Sequence, residues 1–255
     1  MEFGIGRAFQ RAEYDAFNIS MAESRARFNE AHDLILKAWT QESFSYEGKY
    51  RTVQDLRVIP KPLQKPHPPI SVACVLSQES FEWTGRQGYN LMYVPYVSTL
   101  EETKQRLGWY REALIQAGHD PSRREVLLVY HFFMGETARH AQEYPRAFLL
   151  RYLQSAAESN QSGAYSQDYQ AYAGLGELFS KIDYDYMYPE RVIFGNAEQC
   201  LERLAQLEAL GVTHVSLVTN FGGIAHQEVM RSLERFAVQV LPHLASGPAR
   251  AVAAG

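Results

Sequence analysis

The feature that most limits what this chain can become is a set of apolar runs too continuous to be surface strands. Residues 70–76 (Ile-Ser-Val-Ala-Cys-Val-Leu), 91–97, 126–134 and 212–219 each read as a strand with apolar side chains on both faces. Such strands need cover above and below, which a parallel sheet layered with helices provides. Helix signals follow each run. Ser77-Gln-Glu-Ser80 opens a helix that stops near Gly88, and Ser98-Thr-Leu-Glu101 caps one carrying Leu107, Tyr110 and Leu114 to Gly118. Gly135-Glu-Thr137 leads into a helix of about twenty residues. Asn196-Ala-Glu-Gln199 caps a helix that ends at Gly211, ahead of the last strand, and residues 225–244 form the last helix. With a short strand at Phe3 to Ile5, the alternation predicts a parallel α/β fold of five strands, each followed by a helix.

The segments between these units carry weaker signals. Residues 11–19 read as a polar and aromatic loop, and Ser20-Met-Ala-Glu23 has capping-box spacing. Phe28, Ala31, Ile35, Ala38 and Trp39 then share one face of a helix running to about Gln41. Residues 42–69 break the pattern as an insertion. Arms at 44–50 and 53–59 predict a hairpin around Glu47-Gly48, and Pro60, Pro62, Pro66, Pro68 and Pro69 keep the following connector extended. Residues 163–190 are rich in tyrosine and read either as a lid over a pocket or as a surface excursion with two short helices. The small-residue tail at 245–255 reads as disordered.

Composition removes several classes of function. A formal net charge of -4 and a pI near 6.1 leave no basic face for nucleic acid. No run of about 18 apolar residues is present to cross a membrane. Cys74 and Cys200 match no zinc or redox spacing, and the eight histidines include no pair at metal-binding spacing, so no metal is expected and the cytoplasm is the expected compartment.

Three features fall where strands end or helices begin. Arg7 follows the first strand, Arg25 lies in the first turns of a helix whose positive dipole end it opposes, and Ser77 with Ser80 stands at a helix N-cap. In a parallel α/β fold the C-terminal strand ends share the ligand-binding face. Two guanidinium groups with two hydroxyls at a helix N-terminus suit a phosphate, without any Walker or dinucleotide glycine motif. A plain cap and two surface ion pairs account for the same residues equally well. His131 and Tyr130 lie mid-strand and read as core, and Asn220-Phe-Gly-Gly223 reads as a simple turn or as a loop closing over a ligand.

The order of several motifs is similar to that of the bacterial luciferase-like flavin-dependent monooxygenases. They are Phe3-Gly-Ile-Gly-Arg7, Ser24-Arg25, Glu30, Trp39, residues 44–48, the connector from Pro60-Lys-Pro62 to Pro68-Pro69, Ser77 and Ser80, Gly211-Val212 and Val240-Leu-Pro242-His-Leu244. The resemblance implies a single partial (β/α)8 TIM barrel over residues 1–244, with about five of eight β/α units present. Three units, roughly 90 residues, would precede the fourth strand at Met1. It further implies reduced FMN as cofactor, or a deazaflavin as in one branch, and oxygenation of a small organic substrate with molecular oxygen. Arg7 and Arg25 would hold the flavin phosphate with Ser77 and Ser80, Gly6 would lie near the ring, Phe9 and Gln10 would line the adjoining loop, and the Leu76 backbone would touch the flavin. A flavin reductase is the expected partner, and another chain or copy is expected to complete the barrel. A non-catalytic flavin-binding relative or assembly subunit is the alternative. No catalytic acid or base is assigned.

Overall fold

The computed structural model describes residues 1–95, 98–159, 172 and 174–244. The chain divides into two compact units, the first holding Met1–Ser71 and Tyr172, the second beginning at Val72. The expected tail, and residues 163–171 and 173 of the tyrosine-rich segment, lie outside the described residues.

In the first unit β1 (Phe3–Ile5) runs beside the Pro69 backbone, whose carbonyl accepts from Phe3 N–H at 2.9 Å. The expected loop at 11–19 is in part a helix, α1 (Arg11–Ala16), held by Tyr14 Oη donating to the Ala8 carbonyl at 2.8 Å. The long helix α2 (Ser24–Thr40) is entered through a 3-10 turn, Met21–Glu23. The capping box expected from Ser20 is not made, because Glu23 turns to Arg27 instead at 2.9 Å. At the other end of α2, Lys61 Nζ donates to the Ala38 and Gln41 carbonyls at 2.8 and 2.6 Å, satisfying acceptors that a helix C-terminus leaves open. The hairpin expected in the insertion is present as β2 (Phe44–Glu47) and β3 (Thr52–Leu56), antiparallel. A buried carboxylate ties it to α2: both oxygens of Glu30 accept from Tyr50 N–H, at 3.0 and 3.1 Å. Gly48 leaves room for both groups, since a Cβ there would come within 2.5 Å of the Glu30 carboxyl carbon and the Tyr46 ring and displace them.

The last three residues of β4 (Ile70–Cys74) open the second unit, which continues with α3 (Gln78–Arg86), β5 (Asn90–Tyr93), α4 (Leu100–Gln116) and β6 (Val126–Met134). After β6 the single long helix expected is two, α5 (Ala138–Glu143) and α6 (Arg146–Ser159), divided at Tyr144-Pro145 because proline has no N–H to continue a helix and is tolerated only in a first turn. Two short helices, α7 (Leu175–Lys181) and α8 (Tyr184–Met187), precede β7 (Ile193–Gly195), a strand that the sequence reading passes over. The chain closes with α9 (Ala197–Ala209), β8 (His214–Val218), α10 (His226–Gln239) and α11 (Leu241–Leu244).

The strands form a parallel sheet in the order β4-β5-β6-β7, with β8 also paired to β6, and the helices complete the parallel α/β half-barrel. The cap of α4 lies one residue later than expected. Thr99 and Glu102 make the box, while Ser98 turns inward to accept from Tyr93 Oη and Arg106 at 2.8 and 2.7 Å. The expected Asn196–Gln199 box is made, and Gly88, Gly118 and Gly211 end their helices at positive φ.

Register separates the two faces of this sheet. Cys74 meets Thr84, Tyr93 meets Phe81 at 5.1 Å between rings, and Phe132 meets Phe236 at 5.0 Å, so these alternate positions face the helices α3 and α10. Leu127, Val129, His131 and Phe133 therefore look the other way. Pairing sets Met92 beside Leu127, then His214, Ser216 and Val218 beside Leu127, Val129 and His131, and Phe194 beside Phe133. On this inner face Ala73, His214 and Ser216 are exposed, while His131, Phe133 and Phe194 toward the C-terminal end are buried.

Candidate functional site

The expected phosphate groups lie in both units, and each set has its own local structure. In the first unit Gly6 is exposed and Arg7 half-buried, just past β1 where the strand opens into a loop. Phe9 stacks on Tyr172 with ring centroids 5.3 Å apart and 23° between planes. Gln10 sits at the N-cap position of α1, with no side-chain cap bond. Arg25 is the second residue of α2, half-buried, in a first turn that carries no acidic side chain. A cation there is unfavourable against the helix dipole unless an anion offsets it. Beside it Ser24 is buried, its Oγ without a hydrogen-bond partner among the described residues.

In the second unit Leu76 ends the run after β4 and Ser77 caps α3, its Oγ accepting from Ser80 N–H at 3.3 Å. The two hydroxyls stand 3.2 Å apart at the head of the helix. Thr84 Oγ1 donates to the Ser80 carbonyl at 2.7 Å and approaches Cys74 Sγ at 3.5 Å, which locks the first turn of α3 onto β4. The arrangement presents hydroxyls and first-turn N–H groups together, a donor set suited to an anion.

The inner face adds residues that sequence reasoning set aside. His131 is 3% exposed, flanked by Tyr152 at 4.5 Å and Phe221 at 5.1 Å between rings, and burial lowers its pKa to about 4. It is therefore a neutral imidazole at ordinary pH. Tyr130, next in sequence, points to the opposite face, where burial raises its pKa. The signal for separating the two is strand register, which the sequence alone does not show.

Two clefts lie elsewhere. One of about 340 Å³ runs between α2 and the hairpin, lined by Arg27, Glu30, Leu34, Ile35, Phe44 and Val53 among others. Another, of about 350 Å³, borders β7 and α9 and includes Cys200, whose thiol burial pushes up to about 12, too high for a nucleophile. Among the described residues no group of three His, Cys, Asp or Glu side chains is placed to hold a metal, and no helix is long and apolar enough to cross a membrane.

The family model described as luciferase-like monooxygenase matches residues 1–214. The chain belongs to the luciferase-like monooxygenase family. Among luciferase-like relatives, the alkanal monooxygenase alpha chain of Aliivibrio fischeri is 25% identical over 253 residues, covering 95% of this chain and 70% of the relative. The crystal structure of monooxygenase RslO1 from Streptomyces bottropensis is 26% identical with a TM-score of 0.73, over 95% of this chain and 68% of that one. The oxygenating constituent of 3,6-diketocamphane monooxygenase from Pseudomonas putida, solved in complex with FMN, superposes with a TM-score of 0.69 at 20% identity, over 94% of this chain and 70% of that one. The luciferase-like fold is thus shared across relatives of low identity, and the half-barrel sheet is the part of it described above.

Proposed function

We propose that this chain is an oxygenase component that binds reduced FMN and, with molecular oxygen, oxygenates a small organic substrate. The observation that carries the proposal is the paired Ser77 and Ser80 hydroxyls, 3.2 Å apart at the head of α3, in a luciferase-like chain. The donor set fits a phosphate monoester, since two serine hydroxyls with helix N–H groups can donate to a dianion and Arg7 and Arg25 add its counter-charge. In this reading Gly6 leaves room for the flavin ring, Phe9 and Gln10 line the loop beside it, and the Leu76 backbone touches it. The bound flavin supplies the redox chemistry with oxygen. The chain's own residues anchor the phosphate, orient the ring and keep water from the reacting centre.

The FMN bound by the P. putida oxygenating constituent supports FMN as the cofactor, and a separate flavin reductase is the electron source in this reading. The exposed inner-face residues Ala73, His214 and Ser216 support a second element of the proposal: further polypeptide, from another chain or copy, covers this face, because parallel sheets are covered on both sides. The non-catalytic reading, a flavin-binding or assembly subunit, draws on the inner face too, where the buried His131 is not poised to exchange a proton at neutral pH. A deazaflavin is the less favoured cofactor.

The test joins binding with turnover. FMN titrated into the wild type and into Arg7→Ala and Arg25→Ala is expected to bind at least about 1.5 kcal/mol more weakly to each variant, the low end for a hydrogen bond to a charged group. Unchanged affinity in both variants removes the phosphate assignment. Oxygen- and substrate-dependent product formation with a flavin reductase, beginning with an alkanal, separates the oxygenase from the non-catalytic reading.

A further inference from the structure

The segment Asn220-Phe-Gly-Gly223 follows β8, yet its phenylalanine is a core residue, 3% exposed. The Phe221 ring meets His131 edge-on at 5.1 Å and lies nearly parallel to Phe194, at 5.7 Å and 11°. Register places both partners on the inner face, and Tyr152 of α6 flanks His131 at 4.5 Å. A loop side chain thus fills a slot between aromatic walls at the C-terminal end of the sheet, the end at which parallel α/β proteins bind ligands.

The attachment of this loop is suited to release. Gly222 and Gly223 are consecutive residues at positive φ, 57° and 79°, and glycine rearranges there without steric penalty. Arg151 Nη1 donates to the Gly222 carbonyl at 2.9 Å in an exposed setting, and Gly222 rests against the Phe148 carbonyl so closely that a Cβ would overlap it. An exposed hydrogen bond is a modest latch. The apolar part of the hold is larger, and it is retained only if another ring takes the slot when Phe221 leaves.

We propose that residues 220–223 form a gate in which Phe221 is exchanged for the ring of a planar aromatic substrate, which then packs among Phe194, His131 and Tyr152. The inference rests on the oxygenase reading for the identity of that ring as substrate. A neutral, buried imidazole suits such an apolar wall.

The experiment uses the full chain, with and without FMN, and indole as the probe, followed through the His131 imidazole proton resonance. That resonance is assigned by its loss in His131→Gln. Indole is expected to shift it saturably. Arg151→Ala, which removes the latch, is expected to tighten the apparent affinity about two- to twelvefold, because less of the population is held closed. Phe221→Leu, which keeps an apolar plug without a ring, is expected to tighten it as well. An unmoved His131 resonance in the wild type and both variants, or equal affinity in all three, overturns the gate. Flavin fluorescence recorded in parallel keeps the two ideas apart. FMN binding without an indole response removes the gate alone, and an indole response without FMN binding removes the flavin reading.

Discussion

Ser77 is asked to do two things, and substitution separates them. Its Oγ caps α3 by accepting from Ser80 N–H at 3.3 Å, and in the proposed site it also donates to a phosphate. Loss of an N-cap costs about 0.5–2 kcal/mol, and the length of this bond places Ser77→Ala toward the lower end. Ser77→Ala should therefore unfold slightly earlier and bind FMN more weakly by about 1.5–3 kcal/mol, one hydrogen bond to a charged partner. Ser77→Asp is the decisive variant. Aspartate is as good a cap and favours the helix dipole, so stability is held. A carboxylate about 4 Å from a phosphate charge meets repulsion of about 4 kcal/mol at an effective dielectric near 20, so FMN binding falls by roughly three orders of magnitude. Thermal unfolding and flavin fluorescence titration read the two effects. If Ser77→Asp keeps wild-type FMN affinity, Ser77 is a cap and nothing more, and the reasoning that places phosphate at this helix is refuted.

Two further outcomes follow from buried groups in the separate units. Glu30→Ala leaves Tyr50 N–H without its carboxylate acceptor and should weaken the hold of the hairpin on α2 by about 1–3 kcal/mol, seen as faster hydrogen exchange across 44–56 with little change in α3 and α4. For His131 the folded pKa of about 4 lies below the ordinary 6.5, so its burial adds stability in full above pH 6.5 and loses it as pH falls toward 4. The difference of about 2.5 pH units corresponds to on the order of 3 kcal/mol, and denaturation of His131→Phe should show a flatter profile between pH 4 and 6.5 than the wild type.

Much of the architecture is legible from residue pattern, because a parallel sheet must be buried on both sides and its strands must be apolar throughout. Residues 70–76 and 126–134 have no other use, and the caps at Ser77 and Asn196 follow from side chains that compete for helix N–H groups. The failures have local causes. Ile193–Gly195 is wholly buried but too short to show any period. Ser20 sits at capping spacing, yet Glu23 has a closer partner in Arg27, and a motif cannot report that competition. Helix α1 is only six residues long, with a single acidic residue in its first turn, which leaves little pattern to detect. Of the residues proposed to bind phosphate, Arg7, Arg25, Ser77 and Ser80 stand out as charged or capping groups at element ends. His131 does not, since its orientation depends on which residue of β8 lies beside it, a non-local fact set by pairing across the sheet.

The central claim is that a flavin is held here by its phosphate, and a comparison of FMN with riboflavin tests it most directly. Riboflavin carries the same ring without the phosphate, so every contact but the proposed anchor is retained. Equilibrium titration of the wild type is predicted to give FMN an affinity at least about a hundredfold above that of riboflavin, the effect of two charge-assisted hydrogen bonds at about 1.5 kcal/mol each. Equal affinity for the two, or binding of neither, would contradict the account.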